Sequence, residues 1–500
     1  MASSEHLEAL KGPDWNRWRA EHPGITPDLT DIALLGLDLS GRNLAGADFS
    51  RTKLDGSKLD GANLAGAHLQ GASLRGTSLL RADLSGTDLE YQTLDKVQLV
   101  GASLRGVNLK NASVREANLT ACDLTGAKLE GTTFSGSVFS FGRLVAANFR
   151  GVIIDGCVFE ECDLSQAVFD GVTYQRGRFD KSTLTLSFFR DARLAGTSFK
   201  GVKGHRVTFR GANLTGVDFS GADLTSSDFE RVLAQAADFS DTVLRKACLK
   251  EADLRKAILL GTVFEETDLT QANLEKVDLR TPKLKFPNFT GARLAEAIGV
   301  GANLRGGNYT EADLSRADLT EANLEGGIFQ RAHLEGAVLR RANLKRARMS
   351  GVLAPGADFS GTNLFGAECP DADFSGTDFR FSNLVGAVLE GTTFKGANVS
   401  HADFSEAKLG GSNFVGARGE GAKFTGQLGL KLIMAAGSLF SSSRKKVESL
   451  EDRKELERRA RVAQLERQAA ERDRSVASRP VRTGDAGDDS HDRRPVRAPS

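Results

Sequence analysis

The amino-acid sequence predicts an all-β solenoid, a chain wound into stacked four-sided coils, and three observations predict it. From Leu34 to Phe424, residues whose numbers end in 4 or 9 are Leu, Phe or another apolar side chain, giving 79 units of five in one frame. A small side chain, most often Ala, stands two residues before these centres, and Gly recurs two residues after them, as at Gly61, Gly66, Gly71 and Gly76. Phe then occupies every second centre from Phe149 to Phe239.

A period of five matches neither the 3.6 of a helix nor the 2.0 of a long strand, so the chain must turn at every unit. The recurrent Gly suits a tight bend. Each unit is therefore one side of a coil, with the centre and its small neighbour inward and the three remaining, mostly polar positions facing water. Four sides make a coil of 20 residues and keep Phe stacked on Phe, whereas a triangular coil of 15 would scatter Phe over every face. Arg245, Glu265, Lys285, Arg305, Glu325 and Lys345 follow one another at spacing 20, mostly with alternating sign, so adjacent coils attract. Repetition of this kind overrides the three-domain expectation that 500 residues would otherwise carry.

Units such as Ala82-Asp83-Leu84-Ser85-Gly86, Ala212-Asn213-Leu214-Thr215-Gly216 and Ala222-Asp223-Leu224-Thr225 resemble the A(D/N)LXX consensus of the pentapeptide-repeat family. The resemblance covers about four-fifths of the chain and implies a right-handed quadrilateral β-helix. At ~4.8 Å between strands, about 20 coils would make a rod roughly 95 Å long. Each coil bonds only to its neighbours, so stability is a sum of coil and interface contributions and the two ends need covers.

The elements follow in order. Residues 1–30 form an N-terminal helical cap: a short helix over 13–21, with Pro13 in its first turn, Trp15 and Trp18 on one face and a stop at Pro23-Gly24. Residues 31–427 are the pentapeptide-repeat β-helix. Residues 428–442, with Leu428, Leu430, Leu432, Ile433, Leu439 and Phe440, form an apolar C-terminal cap. Residues 443–475 lack Gly and Pro and read as a charged α-helix, through which a homodimer could form. Residues 476–500 read as a disordered tail. Within the repeat, a bulge or small loop is expected at Lys203-Gly204-His205-Arg206, where a large centre is missing. Leu233, Ile298 and Leu353 are expected to turn inward beside the small centres Ala234, Gly299 and Ala354. Pro282 and Pro287 are expected to remove ladder donors.

Several function classes are excluded by the same residues. The formal charge is +1, from 66 Lys and Arg against 65 Asp and Glu, so no global field marks a nucleic-acid binder and no direct nucleic-acid contact is expected. None of the repeat-borne histidines, His68, His205, His333 and His401, stacks over another at spacing 20, which leaves no His-based metal cluster. Asp83, Asp223, Asp253 and Asp313 recur with the repeat, which points to hydrogen bonds along the coil instead of acid–base pairs. Gly299 and Gly301 open no helix and make no dinucleotide loop. Cys122, Cys157 and Cys162 replace Ala at the small inward position and read as buried apolar residues. No catalytic, cofactor-binding or metal-binding residue is assigned, and no cofactor is expected. No window approaches the ~20 apolar residues of a membrane span, and no signal-like n-region precedes an apolar run, so the chain reads as cytoplasmic.

The reading that remains is a non-catalytic scaffold that presents a rod-like surface for protein binding or assembly. Candidate surface contacts are the outward aromatics Phe141, Phe286, Phe365 and Phe381 and the cationic run Arg340, Arg341, Lys345 and Arg346, which Arg348 extends. The family resemblance implies a second reading: a DNA-mimicking protein that binds and protects a type II topoisomerase, DNA gyrase or topoisomerase IV. That use needs an acidic rod, yet residues 31–430 carry 46 basic against 48 acidic side chains.

Overall fold

The computed structural model describes residues 3–425. The chain divides into two compact units, Met1–Ser441 and Ser442–Ser500, and all described residues lie in the first. The expected cap at 428–442, the helix at 443–475, the tail and any homodimer through that helix therefore lie outside the described residues.

Pairing is parallel and joins residue n to residue n + 20 along the repeat, from Asp28 with Asp48 to Phe404 with Phe424. Its most regular part is a four-stranded ladder, β1 (Thr93–Asp95), β2 (Ser113–Arg115), β3 (Thr133–Ser135) and β4 (Ile153–Asp155), in which Leu94, Val114, Phe134 and Ile154 lie in register. The four-sided coil is thus observed, and it begins at Leu29, one side before the first centre read from the sequence.

One unit shows why these residues repeat. Ala82 N–H donates to the Leu79 carbonyl within the coil (3.2 Å), Asp83 N–H to Ala62 of the coil below (2.9 Å), and Leu84 and Gly86 N–H to Ser103 and Arg105 of the coil above (2.8 and 2.9 Å). The fifth donor, Ser85 N–H, has no ladder partner and is taken by the Asp83 Oδ1 carboxylate oxygen at 2.9 Å. Every backbone donor is then satisfied. The same closure occurs at Asp223, Asp253 and Asp313, which is why Asp or Asn precedes so many centres.

Corners are set by the residue two after each centre. From Asp31 to Gly421 these residues have φ between 47° and 74°, and Thr281 alone among them does not. Half of them, 39, are not Gly, and a left-handed backbone costs such residues about 1–2 kcal/mol each. Thr281 is β-branched and precedes Pro282, two properties that disfavour that region, and the corner there opens into a bend.

The interior is a single column of buried centres and small neighbours. Phe149, Phe169, Phe189 and Phe209 stack face to face with centroids 4.4–5.1 Å apart on one face. Phe159, Phe179, Phe199 and Phe219 do so on the opposite face, and the two columns meet edge to face. Where Thr or Ser takes the small position its hydroxyl mostly donates to a centre carbonyl of the preceding coil, as Thr242 does to Phe219 (2.8 Å) and Thr267 to Leu244 (2.8 Å), while Ser187, Thr362 and Ser382 donate to the preceding centre of their own coil.

The N-terminal end is covered by two helices, α1 (Ser4–Lys11) and α2 (Trp15–Glu21). The helix α1 is not anticipated by the sequence reading, and Pro13 lies before α2 instead of within its first turn. Trp15 is fully buried and stacks on Trp18 at 5.2 Å. Its Nε1–H donates to the Asn43 carbonyl (2.9 Å), Arg19 donates to the Ala45 carbonyl (3.0 Å), and Asn16 Oδ1 accepts Asn43 N–H (2.7 Å). These side chains satisfy the ladder edge that a preceding coil would otherwise pair.

Three expectations about irregularity are corrected. Lys203-Gly204-His205-Arg206 forms no bulge: Lys203 pairs with Thr183 and Asp223 in register, and Val207 and Leu224 crowd into the space of the missing side chain. Leu233, Ile298 and Leu353 do not turn inward; they are 46%, 40% and 38% exposed, and Ala234 and Ala354 remain the buried centres. Pro282 and Pro287 occupy the position whose N–H makes the within-coil turn bond, as Ala292 N–H does to Phe289 (2.9 Å), so they remove turn donors and not ladder donors.

Candidate functional site

Naming the four faces by their first centres, Leu29, Leu34, Leu39 and Leu44, places every candidate residue. Phe141, Phe381 and Arg341 share the corner between the third and fourth faces, and Phe286 and Arg346 share the corner between the fourth and first. Lys345 and Phe365 lie on the fourth face, and Arg340 on the third. Arg341, Lys345, Arg346, Phe365 and Phe381 therefore gather within three coils around the fourth face. Phe286 is three coils below Arg346, and Phe141 is twelve coils from Phe381, roughly 58 Å.

Each member has a distinct environment. Phe381 is 67% exposed at a left-handed corner, and its ring stacks on His401 one coil on, with centroids 5.0 Å apart. Lys345 Nζ lies 5.5 Å from the centroid of the half-buried Phe365. Between these, Asn303, Asn323, Asn343, Asn363 and Asn383 align on one face, and Asn343 Nδ2 donates to Asn323 Oδ1 (3.2 Å). Two of the cations are already occupied: Arg340 donates to Asp358 (2.5 Å), which raises its pKa, and Arg341 lies 3.4 Å from Glu321. Among the described residues, no ion pair engages Arg346 or Arg348. Phe286 is 58% exposed, its ring covers Gly306 of the next coil, and it lines a 390 Å³ cleft with Leu284, Lys285, Asn303 and Arg305.

Charge is compensated locally at many points of the described surface. Glu265 receives Arg245 (2.8 Å) from below and Lys285 (2.6 Å) from above, and the Lys285 and Arg245 hydrogen bonds hold its carboxyl below the ordinary range. Arg305 pairs with Glu325 at 3.7 Å, so this part of the alternating series behaves as read. The third face carries an acidic column, Asp218, Asp238, Asp278, Asp318, Asp358 and Asp378. Lys200, Arg280, Arg340 and Arg380 neutralise four of its members.

Other clusters are weaker as sites. Asp228, Glu230 and Cys248 bring three donor atoms within 4.8 Å of one another, the one such group among the described residues. Arg210 already bonds Asp228 (3.0 Å) and Glu230 (2.7 Å), and burial raises the Cys248 thiol pKa, so the thiolate that a metal requires is disfavoured. Sequence reading missed this group because Cys248 lies 20 and 18 residues from Asp228 and Glu230, on a polar position of the next coil. Burial pushes the Cys157 thiol to about 11 and the Cys162 and Cys369 thiols to about 12. Of the histidines, His205 faces Asp223 (3.4 Å) and His333 faces Glu335 (3.1 Å), each in a separate coil.

A parallel ladder of constant step 20, left-handed corners and a column of single apolar centres define a four-sided β-solenoid built from five-residue units. The family model for pentapeptide repeats matches in overlapping segments from residue 34 to 426, and the chain belongs to that family. The match lapses at 92–97, 137–142, 174–204 and 282. Among solved structures, HetL, a pentapeptide repeat protein involved in heterocyst differentiation regulation from the cyanobacterium Nostoc sp. strain PCC 7120, is 27% identical over 50% of this chain and 90% of its own, with TM-score 0.16. Full-length QnrB1, a plasmid-mediated fluoroquinolone resistance protein, is 17% identical over 52% of this chain and 100% of its own, with TM-score 0.17. Rfr23 from the cyanobacterium Cyanothece 51142 is 23% identical over 32% of this chain and 100% of its own, with TM-score 0.14. No curated protein sequence matches the chain. No helix among the described residues is long and apolar enough to cross a membrane.

Proposed function

We propose that the protein is a non-catalytic scaffold that binds a protein partner along its fourth face. The observation that carries this reading is the cluster of Lys345, Arg346, Phe365 and Phe381 around that face, where two cations that no ion pair engages among the described residues share the face with an exposed aromatic ring. Aromatic and Arg side chains supply most of the energy at protein interfaces, and a ladder of Asn beside them offers hydrogen bonds. The corners hold these side chains on a backbone fixed by the ladder, so little order is lost on binding. An acidic segment of a partner is the complementary surface.

The reading is tested by affinity capture from cells, comparing the wild-type chain with Arg346→Glu and Phe381→Ala. A partner retained by the wild type and lost at least tenfold from both variants supports it. Equal retention by all three would remove the fourth face from consideration. The alternative, a DNA mimic that protects gyrase or topoisomerase IV, rests on the acidic column of the third face, whose neutralisation by Lys and Arg argues against it. A supercoiling titration with purified gyrase decides between them: modulation at low micromolar protein that Asp238→Lys abolishes would favour the mimic.

A further inference from the structure

The third face carries a second, different surface. Ile258 and Leu260 flank the centre Leu259 on the outside of one coil, 50% and 55% exposed, and Ile298 and Val300 flank Gly299 two coils on, 40% and 38% exposed. The coil between them presents Asp278 and Arg280, joined to each other at 2.6 Å. Asp238 with Ser240 and Asp318 with Thr320 occupy the coils beyond, so that a two-fold axis along the stack sets each Asp against a hydroxyl. The patch therefore has an apolar centre, one charged pair of both signs and a small polar rim, which is the anatomy of a protein interface.

We propose that this face pairs with the same face of a second copy, the two stacks running side by side and parallel, about a two-fold axis along the stack. Such an axis keeps each coil level and exchanges left for right across the strand. Ile258 of one copy then meets Leu260 of the other, Ile298 meets Val300, and Asp278 meets Arg280, each contact occurring twice. The antiparallel arrangement, with its axis along the strands, sets Asp278 against Asp278 and Arg280 against Arg280, and like charges in contact are costly. The same complementarity recurs four coils beyond the patch on either side, where Arg178 stands beside Asp180 and Asp378 beside Arg380 at equivalent positions on this face, while in the coils between, Asp218, Asp238, Asp318 and Asp358 stand opposite Ser or Thr. Charge therefore selects both the occupant and its direction.

The test is sedimentation equilibrium on the full-length chain. A dimer of twice 53.5 kDa is expected, and Leu260→Arg combined with Ile298→Arg should return it to a monomer that keeps the wild-type far-UV circular dichroism, since both residues are exposed. Asp278→Arg alone should weaken association about tenfold, and Asp278→Arg with Arg280→Asp should restore it, because the exchanged charges still face their opposites. A wild-type monomer at about 100 µM would overturn the proposal. So would a dimer indifferent to the arginine pair, which would place association elsewhere, or a charge exchange that fails to restore it.

Discussion

A buried residue and an exposed one can be adjacent in this chain and differ completely in what they tolerate. Phe189 is fully buried between Phe169 (4.9 Å) and Phe209 (5.1 Å), and Phe189→Arg would place an unpaired charge in the column. We expect a loss of about 3–5 kcal/mol or local opening of the stack. Asp191 lies two residues on at an exposed left-handed corner, a conformation that Arg51, Arg81 and Arg231 also adopt, so Asp191→Arg should change stability by less than about 0.5 kcal/mol. Thermal melts that found the two equally harmful would contradict the assignment of inward and outward positions. The thiols divide in the same way. Cys122, Cys157, Cys162 and Cys369 are buried, and burial raises all four pKa values; the Cys248 pKa is raised too, but its thiol alone is half-exposed and open to a reagent. Native protein titrated with a thiol reagent at pH 8 should show one fast thiol, Cys248, and five after denaturation. Two or more fast thiols in the native state would mean that the coils open far more than the ladder implies.

At the scale of the coil, large and small residues are matched across neighbours as well as within a unit. Tyr174 is the centre of one side, and the small position of the next side is Gly177, where any Cβ would overlap the Tyr174 ring. Gly307 and Gly327 meet the rings of Tyr309 and Phe329 within their own sides. Gly177→Ala should therefore destabilise by about 1–3 kcal/mol, the usual cost of overpacking a core. Adding Tyr174→Leu should recover most of that loss, because the ring that collides is gone. A double variant no more stable than Gly177→Ala alone, measured by urea denaturation, would show that the Gly serves the backbone and not the ring. This pairing explains what was legible in the sequence. The frame of five and the step of 20 are properties of spacing, so the faces, the Phe columns and the Asp positions could be read directly. Departures could not: at Gly204 and Gly299 nothing in the spacing says that neighbouring side chains will crowd the gap while the register holds. Helix α1 escaped because its eight residues lie outside the repeat, with Leu10 their one fully buried side chain.

For the whole molecule, a stack in which each coil touches only its neighbours is as stable locally as its weakest interface. Among the described residues five pairings of the ladder are absent, Ser73–Thr93, Lys128–Asn148, Ile153–Thr173, Ile258–Asp278 and Lys283–Asn303, and at three altered places the family match lapses from an unusual residue: Gln92, Tyr174 and Pro282. Gln92 puts a long amide where Ala is usual; its Nε2 reaches the Leu69 carbonyl, and a 500 Å³ cleft opens beside Gly71, Ser73 and Tyr91. No ladder bond joins Gly71 to Glu90 among the described residues. Tyr174 inserts its hydroxyl between two ladder partners, donating to the Cys157 carbonyl and accepting Arg178 N–H (3.1 Å). Pro282 removes a turn donor, Thr281 leaves the left-handed corner, and no ladder bond joins Leu284 to Asn303 among the described residues. Hydrogen exchange should therefore be faster at 69–74 and 281–286 than at 199–229, where the ladder and the Phe columns are continuous. The insertion at Tyr174 keeps both backbone groups bonded, so 174–178 should exchange at an intermediate rate. Pro282→Ala restores a donor to the Leu279 carbonyl and should slow exchange at 281–286 while leaving 69–74 unchanged, since distant coils do not share an interface. Uniform protection along the repeat, or a response at 69–74 to Pro282→Ala, would mean that the solenoid opens as one cooperative body and that these interfaces do not govern it.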